Sequence, residues 1–318
     1  MARKRILALL VTVPLGLTPR VVAAEAENQS VANTRQTAPT KLPPVVEAEQ
    51  VTFAQQPSRV GDRVAQSVGV ELQLQTTITQ AGQQAHEGQT SLKRRQQRFI
   101  EVLEVTEGNV RRAHVTFPFS RVISTELTSP ESGDPAQEKV QAVEKMSYFV
   151  TREGERLFVT DAEGAIPSQA EYEIVVTSLQ ELGRPNPLIE FLSGRTIRVG
   201  ERLQLPQEIA EQMIGFGDQL SKVKQFELEL KSVEEIDGER CAVFRSTIEA
   251  IGAASNPVRI RAFGRVVIQT ETCRTVRAEL SGPLTLSTAE HTPAGGFQYR
   301  AQGNMRFAVR AQYGHARQ

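Results

Sequence analysis

From Phe297 to Tyr313 the chain alternates between apolar and polar residues almost without a break. Phe297, Tyr299, Ala301, Gly303, Met305, Phe307, Val309, Ala311 and Tyr313 hold the odd positions; polar residues hold the even ones, with Ala308 the single exception. Period two is the signature of a strand with one buried and one wet face. The stretch is far longer than an average strand, and Gly303 in its middle predicts a bend or bulge. The same alternation recurs in Val70-Leu72-Leu74-Ile78, in Ala113-Val115-Phe117-Phe119, in Phe226-Leu228-Leu230 and in Val276-Ala278-Leu280-Leu284-Leu286. Turn signals separate these runs at Glu107-Gly-Asn109, Arg152-Glu-Gly154, Asp237-Gly238, Ser255-Asn-Pro257 and Ala294-Gly-Gly296. About ten strands are predicted, mostly joined as antiparallel hairpins.

Two segments change period. Ser168 followed by Glu171 forms a capping box, after which Tyr172, Val175, Val176, Leu179 and Leu182 recur at helical spacing until Gly183, Pro185 and Pro187. Leu188-Ile-Glu-Phe-Leu192 adds one turn. A second helix starts after Pro206 and carries Ile209, Ala210, Met213 and Ile214 up to Gly215. Both apolar stripes need a partner, and the buried face of the sheet is the only large one. The predicted fold is therefore mainly β (α+β): a strongly curled antiparallel sheet or half-barrel with two or three helices on its concave face. Arg59-Val-Gly-Asp-Arg-Val64 and Arg198-Val-Gly-Glu-Arg-Leu203 echo each other, and read as two similar turn-to-strand entries into one sheet.

The first residues divide the chain. Arg3, Lys4 and Arg5 precede a short apolar run, Ile6–Leu17, and Val22-Ala-Ala24 supplies small residues for cleavage before Glu25. This is a signal peptide over 1–24, too short to span a bilayer as a stable helix. The chain is thus expected to be exported, periplasmic or extracellular in a bacterium, with no transmembrane segment in the mature part. Residues 25–57, rich in Ala, Gln, Thr, Glu and Pro, read as a disordered tether. Residues 58–318 read as a single curled-sheet domain, with Ser129–Pro135 a mobile loop.

Charge narrows the partners. Lys plus Arg and Asp plus Glu both number 37; the leader holds four of the basic residues, so the mature chain is acidic by four. Nucleic-acid binding needs concentrated positive charge and is not expected. Aromatics are 5% and Trp is 0, against the aromatic girdles of an outer-membrane barrel. Basic clusters are Lys93-Arg-Arg-Gln-Gln-Arg98 and the Arg-rich strand Arg259, Arg261, Arg265; the first opens a strand and reads as a solvated edge that discourages edge pairing, and the sharper alternative is contact with anionic lipid head groups or an acidic partner.

Export places Cys241 and Cys273 in oxidising surroundings. If strands near 240–251 and 258–270 form a hairpin, residue 241 pairs near 267–270 and Cys273 lies just past that end. A structural disulfide between Cys241 and Cys273 is expected, worth roughly 3–4 kcal/mol through the unfolded chain, with two free thiols the rival reading. No CxxC spacing supports redox chemistry. His86, His114, His291 and His315 have no ligand spacing and read as solvated, so no metal or cofactor is expected. Ser221-Lys-Val-Lys224 matches SxxK but runs into a strand, and Gly215-Phe-Gly217 lacks the third glycine of a dinucleotide loop. No catalytic residues are assigned, and an enzyme is not expected.

From about residue 58 onward the chain resembles the exported LolA/LppX-like half-barrel proteins. It also resembles secreted bacterial β-rich domains that share the strand entry seen at Val199-Gly-Glu-Arg-Leu203. The resemblance is architectural, and the absence of a lipobox departs from the lipoprotein members. It implies a non-enzymatic carrier or binding protein for an apolar ligand, with a lipid or an acylated protein as partner. The cavity wall would be Phe226, Leu228, Leu230, Phe244, Met305 and Phe307, with Val175, Leu179 and Met213 as lid. The alternative is an envelope interaction module with a filled core.

Overall fold

The structure, a computed structural model, describes residues 49–80, 83–128, 136–214, 220–252, 258–292 and 295–315. The expected leader, most of the expected tether and the Ser129–Pro135 loop lie outside the described residues. A short strand β1 (Gln50–Thr52) precedes a meander of β2 (Asp62–Gln80), β3 (Gln83–Thr106) and β4 (Asn109–Thr128), followed by β5 (Gln137–Val140) and the hairpin β6 (Met146–Glu153)–β7 (Arg156–Asp161). Helices α1 (Gln169–Ser178) and α2 (Pro187–Leu192), strands β8 (Thr196–Arg198) and β9 (Arg202–Gln204), and helix α3 (Gln207–Ile214) come next. A second meander completes the chain: β10 (Leu220–Ile236), β11 (Glu239–Gly252), β12 (Val258–Gln269), β13 (Thr275–Thr292) and β14 (Gly295–His315).

Twelve strands form one antiparallel sheet in the order β7-β6-β4-β3-β2-β14-β13-β12-β11-β10-β9, with β5 added on β4, while β1 and β8 pair separately. The last strand lies against the first long one, with Phe307 opposite Val70 and Met305 opposite Leu72. The two meanders therefore join in the middle of the sheet, and its edges are β7 and β9. The short β1, β5, β8 and β9 take the described strands past the ten expected, because three or four residues carry too little alternation to be read.

Turn chemistry sets the registers. Glu107-Gly108 and Asp237-Gly238 have positive φ at both positions, which gives the two-residue hairpins between β3 and β4 and between β10 and β11. The echoed motifs are one turn used twice. Asp62 N–H and Glu201 N–H donate to the carbonyls of Arg59 and Arg198, and Gly61 and Gly200 hold φ of 88° and 90°. Asp62 and Glu201 carboxylates accept from the Arg59 and Arg198 N–H at 3.1 and 3.0 Å. Glycine in that left-handed third position is what the type II geometry requires.

Even positions of β2, β11 and β12, of β3 from Leu92 to Val102, of β10 from Phe226 to Leu230 and of β13 from Ala278 onward share with the odd positions of β14 the face on which the helices lie. Two clusters occupy that inner face. One gathers Val175 of α1 and Leu179, which caps its end, with Val115, Phe117, Tyr148 and Val150 of β4 and β6. The other gathers α2 and α3 with β1 and the β10–β13 strands, around Leu228, Leu230, Phe244 and Ile268. Burying each large apolar side chain contributes about 1.5–3 kcal/mol, so these clusters hold the helices down. The capping box at Ser168 is formed, and Glu171 Oε1 also accepts from Tyr148 Oη at 2.9 Å, which ties the start of α1 to β6.

Four expectations need correction. The tether stops short of 57: Val51 is buried in the β1–β8 pair, and buried Phe53 stacks on Phe244 with ring centres 6.0 Å apart. Gly303 sits in unbroken register with Leu74 and Leu284, so it marks a close approach of strands and no bulge. Among the register slips of the sheet, one lies at Phe117-Pro118 in the β3–β4 pair, because proline has no N–H for the ladder. Beyond it the inward positions change parity, so Ser120 and Val122 face the positions Phe119 was expected to hold.

The fourth correction is the disulfide. Cys241 pairs with Gln269, as the expected register requires, yet both thiols are free. Cys241 packs with Val243 and Val267 on the outer face, whereas Cys273 belongs to the inner-face cluster. The sheet lies between them. Burial pushes the Cys241 thiol up to about 11 and the Cys273 thiol up to about 12. Neither thiol is expected to react with Ellman's reagent at pH 8 in the folded chain, since the thiolate is the reactive species, and both are expected to react after unfolding without reductant. A chain that stays unreactive in denaturant would restore the disulfide.

Candidate functional site

The run Lys93–Arg98 supplies the site that periodicity alone obscured. β3 lies between β2 and β4, so this basic run is inside the sheet and is no solvated edge. Alternation sends Lys93 and Arg95 outward, where Lys93 Nζ pairs with Glu71 at 2.5 Å. It sends Arg94, Gln96 and Arg98 inward, where all three are buried. They form a polar belt between the two apolar clusters. The Pro118 bulge lies opposite Arg98, between its paired neighbours Gln97 and Phe99.

Both guanidinium groups reach the last residue of α1. Arg98 Nη1 donates to the Ser178 carbonyl and Nε to Gln66 Oε1 at 2.6 Å; Arg94 Nη2 donates to Ser178 Oγ at 3.4 Å. Gln96 Nε2 donates to Ser120 Oγ at 3.2 Å, which in turn donates to Gln141 Oε1 at 2.9 Å. Among the described residues no carboxylate lies within ion-pair distance of Arg94 or Arg98, although seventeen other ion pairs are formed. Burial lowers the Arg94 guanidinium to about 10, and burial together with the neighbouring Arg94 charge lowers Arg98 to about 10. A cavity of about 30 Å³ opens here, walled by Val68, Val70 and Phe307 beside the two arginines and Ser178.

Of the other buried arginines, Arg274 has a carboxylate partner, whereas Arg152, like Arg98, is held by backbone carbonyls. Arg274 Nη2 lies 2.9 Å from Asp62, whose other oxygen is 2.7 Å from His315 Nδ1. Arg152 donates to the carbonyls of Leu182, Gln180 and Glu155, which pins the segment after α1 to β6. A wider cavity of about 510 Å³ is lined by Phe99, Glu101, His114 and Arg63 among others, but there Arg63 and Glu101 satisfy each other at 2.8 Å.

The expected apolar wall is distributed over three places. Phe226, Leu228, Leu230 and Phe244 are buried in the α2–α3 cluster, with half-buried Met213 and Met305 packed against it. Val175 and Leu179 lie in the α1 cluster. Phe307 packs with Val70 and Val309 between the two, next to the arginine belt. Among the histidines, His86 is exposed, His114 packs on Phe149 with ring centres 5.1 Å apart, and His315 is held by Asp62, so solvation alone does not describe them. The side chain of His291 lies outside the described residues. Among the described residues no helix is long and apolar enough to cross a membrane.

No family model and no curated protein matches the chain. Among solved structures, one described as lipid–protein interactions in lipovitellin matches with a TM-score of 0.39 at 10% identity, over 82% of this chain and 26% of that one. A LolA superfamily protein from Nitrosomonas europaea matches with a TM-score of 0.13 at 10% identity, over 75% of this chain and 85% of that one. This chain thus spans about a quarter of the lipovitellin chain. Both are similarities of architecture at low scores, and the reading of function rests on the site itself.

Proposed function

We propose that the protein is an exported, non-enzymatic carrier that holds an apolar ligand, a lipid or an acyl chain, between its helices and the inner face of a curled half-barrel. The observation that carries this reading is the mismatch between sheet and helices. The eight long strands have 12 to 24 residues each, which at ~3.3 Å per residue and ~4.8 Å between strands gives an inner face of roughly 2,000 Å². The helices have 10, 6 and 8 residues; at ~1.5 Å per residue and ~10 Å width they cover roughly 400 Å². Their main sheet contacts are with β7 and β10, near the two edges.

Curling is supported by three inner-face glycines. A Cβ on Gly264, Gly282 or Gly303 would meet a carbonyl oxygen of the adjoining strand at 1.7, 2.0 and 1.8 Å. A backbone approach that close on one face is what a sheet bending toward that face produces. Most inner-face side chains are buried, and an apolar ligand would add cover at the half-buried ones, Leu280, Leu286 and Met305.

Native mass spectrometry of the mature protein taken from its own periplasm, followed by solvent extraction, tests the proposal. A co-purifying acyl chain, or saturable uptake of a fluorescent fatty acid by stripped protein, is the expected result. Met305→Glu, at a half-buried inner-face position, is expected to lower that uptake about tenfold with an unchanged far-UV circular dichroism spectrum. An empty protein that also takes up no fatty acid sinks the carrier and leaves the interaction module.

A further inference from the structure

We infer that Arg94 and Arg98 form a carboxylate site, which receives the head of a long-chain carboxylic acid whose tail lies along Val70 and Phe307. The inference rests on the carrier reading and names the ligand class within it. Three observations on the inner face converge.

The first is charge. Arg94 and Arg98 are 8% and 7% exposed and have no acidic partner among the described residues. A buried cation without a counter-charge is costly, and two side by side are costlier. The C-terminus of α1 offsets part of this, since the Ser178 carbonyl accepts from Arg98. A helix end supplies only about half an elementary charge, against two full ones. Arg94 has just the neutral Ser178 hydroxyl, at 3.4 Å.

The second is size. The space between these groups is small, about 30 Å³, and a carboxylate with its two oxygens is a smaller head than a phosphate with four. Guanidinium forks suit that planar, two-oxygen acceptor. The third is continuity. Val68, Val70 and Phe307 wall the same space, and that strip joins Leu280, which also packs against the α2–α3 cluster. Apolar side chains thus continue from the belt to that cluster.

The test is calorimetric titration of the delipidated mature chain with dodecanoate, dodecanol, dodecyl phosphate and acetate. Dodecanoate is expected to bind at least tenfold more tightly than dodecanol in the unaltered chain, which requires no variant to fold. Arg94→Gln and Arg98→Gln should each erase that preference while leaving dodecanol affinity within about twofold, and Arg94→Lys should retain part of it. Equal affinity for acid and alcohol in all proteins overturns the carboxylate site and leaves the carrier standing. Acetate binding as tightly as dodecanoate overturns the tail path, and dodecyl phosphate binding as tightly overturns the choice of carboxylate. Failure of every alkyl ligand to bind overturns the carrier and this site together.

Discussion

Gly264→Ala is expected to destabilise the protein by about 3 kcal/mol or more, at the top of the range for single substitutions. Gly264 lies on β12 between Ser246 and Leu280 of its neighbours, and an added Cβ would sit 1.7 Å from the Glu279 carbonyl oxygen. No side-chain rotation relieves a clash with backbone, so β12 and β13 must part. Gly303→Ala, 1.8 Å from the Gln73 carbonyl, should behave alike. Gly314 has open space around it, so Gly314→Ala serves as the control, with a change within ~0.5 kcal/mol. Urea unfolding followed by circular dichroism measures all three. A Gly264→Ala midpoint equal to that of Gly314→Ala would remove the argument that the strands approach this closely, and with it the support for a curled sheet.

Asp62→Ala is expected to cost about 3–5 kcal/mol, the range for stripping a buried charge of its partner. The Asp62 carboxylate accepts from Arg274 Nη2 at 2.9 Å and from the Arg59 N–H at 3.1 Å, and lies 2.7 Å from His315 Nδ1. It therefore joins the start of β2, the turn after β12 and the end of β14. Arg274, with 10% of its side chain exposed and its guanidinium 5.1 Å from the Tyr313 ring centre, would be left unpaired. If the loss arises from that stranded charge, Asp62→Ala with Arg274→Met recovers a large part of it. A double variant no more stable than the single one would place the cost in the Arg59–Asp62 turn instead.

Much of the architecture was legible because it follows from short-range rules. Period-two runs marked the long strands, the capping box marked α1, and the two Val-Gly-acid motifs marked a repeated turn. Each of these depends only on residues a few positions apart. The short strand β1 was hidden because three residues carry no period, and because its partner β8 lies nearly 150 positions away. Pro118 is the local sign of the bulge that shifts Ser120 and Val122 inward, although the alternation on either side of it is regular.

The arginine belt shows where local reading stops. Leu92, Arg94, Gln96, Arg98, Ile100 and Val102 are in phase, so the sequence by itself determined that the arginines share a face with buried leucine, isoleucine and valine. Whether that face met water or protein depended on what packs over it, and only the tertiary structure brought the end of α1, at Ser178, onto Arg94 and Arg98. The same holds for the cysteines. The sequence determined that Cys241 lies near the end of a hairpin leading to Cys273, whereas the tertiary structure decided that the sheet separates their side chains. Periodicity specifies alternation along a strand, but burial and charge compensation are properties of neighbours brought together by topology.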